Sequence, residues 1–138
     1  MRDSAGRFVL AYSGRLGHVS TVEAELLAIL HGLRIIRSHN VNARVQVESD
    51  SSMAVDLISD GCPRHHSCFN IIEEIKSLCF QLNIISCSHI FREANRVADA
   101  LAKNMILSKE NIIVFNAPPN CIQELLLIDM SASSNFNN

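Results

Sequence analysis

The sequence has no excess of positive charge: 12 Lys and Arg stand against 14 Asp and Glu, a formal net charge of −2 over 138 residues. That balance argues against a broadly basic surface and against tight, nonspecific nucleic-acid binding driven by counterion release, so any nucleic-acid contact has to be local. No apolar run approaches the roughly 18 residues of a membrane span. The N-terminal RDSAGRF also lacks the basic-then-apolar order of a signal sequence. The cysteines (Cys62, Cys68, Cys79, Cys87, Cys121) form no Cys-x-x-Cys pair, which suits reduced thiols better than a disulfide framework. These absences describe a soluble, intracellular chain, with nucleus and cytoplasm not distinguished. No internal repeat is visible. What is present is 48% hydrophobic residues, enough for one real core in a chain too short for two domains.

The hydrophobic spacing alternates between two periods. GRFVLAYSGRL, with Phe8, Val9 and Tyr12, reads as a strand leaving the turn RDSAG. From Ser20 the period becomes helical: Ser20 and Glu23 suit a capping box, and Val22, Leu26, Leu27, Leu30, Leu33 and Ile36 share a face over about four turns. ARVQVES alternates again, with Val45 and Val47 on one side, and SSMAVDLIS is a short helix stopped by Asp60-Gly61. CFNIIEEIKSLCFQLN is a second amphipathic helix on Phe69, Ile72, Ile75, Leu78, Cys79 and Leu82; IISCSHIF is a strand. NRVADALAKNM is a helix with Val97, Ala98, Leu101, Ala102 and Met105 inward. NIIVFNAPPNCIQELLLIDM adds an apolar stretch, a Pro-Pro break and a last amphipathic segment. Strands alternating with helices predict an α/β domain.

Three acids stand at the ends or faces of these elements: Glu25 in the first helix, Asp50 at a strand-to-helix junction, and Asp99 in the helix after the last long strand. Each has an ordinary reading. Glu25 suits the positive end of a helix dipole. Asp50 suits a helix cap. Asp99 can pair with Lys103 at i+4, a contact of at most about 0.5 kcal/mol. His89 is then a strand residue. From the residues alone, Asp50 is either a cap or part of a metal site, and it can be both.

The three stretches VEAELLAILHGL, VQVESDSSMAVDLI and SHIFREANRVADALAK resemble, in order and spacing, the downstream motifs of the type 1 ribonuclease H family in its plant form, found in retroelement-derived and stand-alone domains. The resemblance implies a mixed sheet flanked by helices, and binding of RNA/DNA hybrids with hydrolysis of the RNA strand. It implies Mg²⁺ as cofactor, with Mn²⁺ as a substitute, held by Glu25, Asp50 and Asp99 converging at one end of the sheet. His89, ten positions before Asp99, takes the place of the family's loop histidine, although here it follows a strand directly. The chemistry suits these residue types. Two hard cations roughly 4 Å apart activate water and stabilise the leaving oxygen. Mg²⁺ prefers oxygen ligands, and an imidazole exchanges its proton near neutral pH.

The family's first aspartate lies in a strand preceding the hairpin turn matched by RDSAG, and it has no counterpart in these 138 residues; Asp3, inside the turn, is no substitute. The expected domain, residues 1–105, therefore lacks the family's first strand and most of the second, and its hydrolytic activity is expected to be impaired. Residues 106–130 are expected as an appended strand and helix, and 131–138 as a disordered tail. A non-catalytic nucleic-acid-binding or interaction module, or a retroelement remnant, stands beside the enzyme reading. A zinc site in CPRHHSC, using Cys62, His65, His66 and Cys68, is a third possibility that lacks the usual paired spacings. No membrane contact is expected, and the oligomeric state is left open.

Overall fold

A computed structural model of the chain describes residues 1–104 and 111–135, so Met105 lies outside the described residues. The chain divides into two compact units, Gly17–Ala94 and a terminal unit made of Met1–Leu16 with Asn95–Asn138. The architecture is α/β, as expected. The described strands form two two-stranded ladders, one in each unit.

In the Gly17–Ala94 unit, α1 (Thr21–Ser38) starts where Ser20, in extended conformation, accepts a hydrogen bond at its side-chain oxygen from the Glu23 N–H. This is the cap that the sequence advertises. The helix ends at Asn40, whose φ of 50° is left-handed and breaks the repeat. β2 (Val45–Ser49) runs parallel to β3 (Ile84–His89), with Val47 opposite Cys87 and Ser49 opposite His89. A parallel pair needs a crossover, and it is supplied by α2 (Ser52–Asp60) and α3 (Phe69–Gln81). Gly61 closes α2 at φ 80°, a conformation strained for any other residue, and its N–H donates to Leu57 O. The core is the helical stripe of α1 (Leu26, Leu30, Leu33, Ile36) against Val55 and Ile58 of α2 and Ile72, Ile75 and Leu78 of α3. Burial of each such side chain contributes about 1.5–3 kcal/mol, which exceeds the weak intrinsic preference of any one helix.

In the terminal unit, Asp3 organises the RDSAG turn. Its Oδ1 accepts from the Ala5 and Arg7 N–H groups, both at 2.9 Å, and Oδ2 from Arg7 Nε at 2.7 Å. The Arg7 backbone bond, followed by the Arg7 side chain, holds its carboxyl below the usual range. Beyond the turn, β1 (Ala11–Gly14) pairs antiparallel with β4 (Ile112–Phe115). α4 (Arg96–Asn104) and α5 (Asn120–Asn135) complete the core, in which Ala11, Leu101, Ile122 and Leu126 are buried against Phe8, Val97, Ala100 and Phe115. The Ser13 hydroxyl donates to Leu101 O at 2.8 Å and ties the strand to α4.

Two expectations change here. α4 faces inward with Val97, Ala100 and Leu101, the i, i+3, i+4 stripe, whereas Ala98 and Ala102 are exposed. α5 continues to Asn135, five residues into the segment expected as a tail, and its Ile122 and Leu126 are built into the core with β1 instead of forming an appendage. Among the described residues no helix is long and apolar enough to cross a membrane.

Tyr12 is the sequence's sole tyrosine and there is no tryptophan, so its phenol can be titrated by ultraviolet absorbance without interference. Burial pushes that phenol up to about 12. The unfolded chain ionises first, near pH 10, so stability is full below that pH and is lost as pH rises toward 12, with a limiting slope of ~1.4 kcal/mol per pH unit. We expect no tyrosinate absorbance at pH 10.5 in the folded protein and normal titration in denaturant; half-ionisation near pH 10 in the folded state would contradict the enclosure of Tyr12.

Candidate metal and nucleic-acid site

β2 ends at Ser49, and Asp50 and Ser51 lead from it into α2. Ser49 is buried; its Oγ accepts from the Ser51 N–H at 3.1 Å and its carbonyl from the Ile90 N–H at 2.9 Å. Ser51 is the N-cap of α2, its Oγ accepting from the Ala54 N–H at 3.2 Å. Asp50 is therefore not the cap. The hydroxyl one residue later reaches the third helical N–H and leaves the Asp50 carboxylate outside the capping bonds.

The Asp50 side chain is 16% exposed, with Oδ2 4.0 Å from Arg92 Nε. Together with Glu25, Thr21, Ser51 and Arg92 it lines a depression of about 280 Å³. Thr21 and Glu25 are separated by one helical turn, which places both on the same face of α1. The structure thus brings Glu25 and Asp50 together from separate elements. A larger depression, about 400 Å³, is lined by Ile36, Arg37, residues 40–42 and residues 81–83, with no carboxylate among them.

His89 is the last residue of β3, directly opposite Ser49, so it shares the ladder end that presents Asp50. It is exposed, does not line the depression, and meets Phe91 edge-to-face with ring centroids 5.9 Å apart. Asp99 belongs to α4 of the terminal unit, where it is half-buried and its N–H donates to Asn95 O at 3.1 Å.

Arg92 is the site residue that sequence reasoning missed. It lies in FREAN, inside a stretch read only for its aspartate and histidine. Nothing in its spacing discloses the approach to Asp50, which follows from the parallel register of β2 on β3. The donor set in the depression is two carboxylates and two hydroxyls, all oxygen, which suits a hard divalent cation. Arg92 is the one cationic group among the lining residues. Among the described residues no group of three or more His, Cys, Asp or Glu is arranged to hold a metal ion. In CPRHHSC, Cys68 is buried at the start of α3 and His66 Nδ1 accepts from the Cys68 N–H at 3.1 Å, so this ring nitrogen has a structural partner. All five cysteines are free, and burial raises the Cys79 and Cys87 thiols.

With this geometry in place, comparison with known proteins identifies the class. Residues 1–105 match the model of the reverse transcriptase-like family, and the chain belongs to that family as a ribonuclease H-like domain. It is also 27% identical over 134 residues to the Arabidopsis thaliana protein named "Putative ribonuclease H protein", an alignment that covers 97% of this chain and 22% of that protein. The chain thus spans about a fifth of the length of the curated relative it matches. No solved structure matches it significantly.

The division of labour at the end of β2 is testable by urea denaturation. Ser51→Ala is expected to cost about 1 kcal/mol, the usual cost of losing an N-cap. Asp50→Ala is expected to cost less, since its exposed ion-pair partner contributes no more than about 1 kcal/mol. A larger loss for Asp50→Ala than for Ser51→Ala would return the capping role to Asp50.

Proposed function

We propose that this domain binds nucleic acid through the β2–β3 ladder end, and that its chemistry is that of a ribonuclease H: hydrolysis of the RNA strand of an RNA/DNA hybrid. The observation carrying this reading is the meeting of Glu25 and Asp50, from a helix and a strand end, in one depression lined by oxygen donors. Glu25 and Asp50 are the carboxylates that would hold Mg²⁺ or Mn²⁺. Bound there, divalent cations supply activation of water and neutralisation of charge on the leaving oxygen.

The rest is the work of the chain's own side chains. The Ser49 and Ser51 hydrogen bonds on either side of Asp50 fix the backbone from which its carboxylate projects. Glu25 is carried on a long, well-packed helix, which fixes the other wall. His89 moves a proton at the phosphate oxygens from its exposed position one register step away. The resemblance assigns Asp99 to the same chemistry, and mutation tests that assignment. With net charge −2, binding rests on few cationic contacts and carries a modest salt dependence. The depression brings together two carboxylates, Glu25 and Asp50, and we propose that this stretch binds hybrids better than it cleaves them. An intracellular setting, and descent from a retroelement, belong to the same proposal.

The test is a labelled RNA/DNA hybrid, with binding followed by fluorescence anisotropy and cleavage by gel, in Mg²⁺ or Mn²⁺. We expect binding with a modest salt dependence and slow cleavage, and loss of the residual cleavage in Asp50→Asn and Asp99→Asn with binding retained. Binding without cleavage in every variant supports a non-catalytic module. Absence of hybrid binding at low salt contradicts the proposal.

A further inference from the structure

Phe91 is an aromatic side chain left in water beside the depression, and the hydrolytic reading does not use it. It is 77% exposed. A single exposed apolar side chain is ordinary on a protein surface; what sets this one apart is how it is held. The residue before it, Ile90, donates its N–H to Ser49 O at 2.9 Å, and the residue after it, Arg92, has Nε 4.0 Å from Asp50 Oδ2. Phe91 is thus bracketed by two contacts with the Ser49–Asp50 segment. Its own carbonyl accepts from the Ala94 N–H at 2.9 Å, which closes the Arg92–Ala94 3₁₀ turn. The ring has a brace as well: His89, two residues earlier, meets it at an interplanar angle of 79°. A perpendicular contact occupies at most one face of the phenyl ring, and the other stays flat and open to solvent. Phe80 is also exposed, but it lies in the last turn of α3, which leads into the opposite end of β3.

We propose that Phe91, braced by His89, is a stacking platform for one unpaired base, so that this ladder end takes a single-stranded segment of nucleic acid. The inference rests on the reading of the ladder end as a nucleic-acid site. Three physical points lead to it. Every base has a π-face, so stacking on an exposed phenyl ring tolerates any sequence. A base inside a duplex has both faces covered by its neighbours, whereas an unpaired one is free to stack on a protein ring. The third point is charge. The chain carries −2 overall, and the two residues after Phe91, Arg92 and Glu93, bear opposite signs. Phosphate attraction therefore contributes little here, and an anchor that does not depend on charge has correspondingly more effect. Because Phe91 flanks the depression, the base it holds sets the position of the strand relative to Glu25 and Asp50.

The test compares a short single-stranded RNA with a long blunt RNA/DNA hybrid, both followed by anisotropy on the full chain at low salt without divalent cations. Phe91→Ala is expected to weaken binding of the single strand by about five- to twentyfold and binding of the hybrid by less than about twofold. The retained hybrid affinity also shows that the variant is folded. The chain has no tryptophan, so Phe91→Trp installs a single reporter at the platform. This variant is expected to hold the single strand at least as well as the parent, with its fluorescence quenched as the strand binds. Phe91→Leu, apolar but without a π-face, is expected to stay as weak as Phe91→Ala. An unchanged single-strand affinity in Phe91→Ala, full recovery by Phe91→Leu, an unquenched Phe91→Trp, or a parent chain that binds the hybrid and no single strand overturns the proposal while leaving the hybrid reading in place. If the parent binds neither ligand, the nucleic-acid reading itself fails and this inference falls with it.

Discussion

The parallel pairing of Val45–Ser49 with Ile84–His89 decides where the chemistry-bearing side chains of this domain go. Because Ser49 is opposite His89, Asp50, the residue after β2, and Arg92, three residues after the end of β3, meet at the same end of the ladder. A slip of one residue would turn every side chain of the slipped strand to the other face and separate this group. The register is in turn held by the crossover, whose buried Val55, Ile58, Ile72, Ile75 and Leu78 pack with the α1 stripe that carries Glu25. Core burial, which is non-directional, is thus converted by the ladder into a specific meeting of charged groups.

Much of this was legible from local pattern. Ser20 before an apolar helical period, Gly61 after one, and the alternation of Val45 and Val47 are signals with short-range physical causes, and each element falls where they predict. The residues of the site were legible only through the family resemblance, since an aspartate at a strand-to-helix junction and a capping serine next to it follow the same preference. Deciding between Asp50 and Ser51 required the bond from Ala54 N–H. The approach of Arg92 to Asp50 was not legible at all, because it connects residues 42 positions apart through a pairing register that periodicity does not encode.

The terminal unit shows the same limit. The apolar IIVF and the segment after Pro-Pro were recognisable as a strand and a helix, but not as partners of the chain's first residues. The Ala11↔Phe115 pairing spans most of the sequence, and such pairings are specified by shape and burial in the folded state. The exposed Ala98 and Ala102 have a related cause: two helical stripes, 97/98/101/102 and 97/100/101, were both available to a short alanine-rich helix, and packing with β1 and α5 selected the second.

The central claim is that Glu25 and Asp50 form one cation-binding depression, and side-chain carboxyl ¹³C chemical shifts followed through a Mg²⁺ titration test it most directly. The account predicts that the Glu25 and Asp50 carboxyl signals move together, along one binding curve, accompanied by the Ser51 amide, while exposed acids such as Asp60 and Glu73 stay in place. Independent curves for Glu25 and Asp50, or shifts spread evenly over all surface carboxylates, would contradict it.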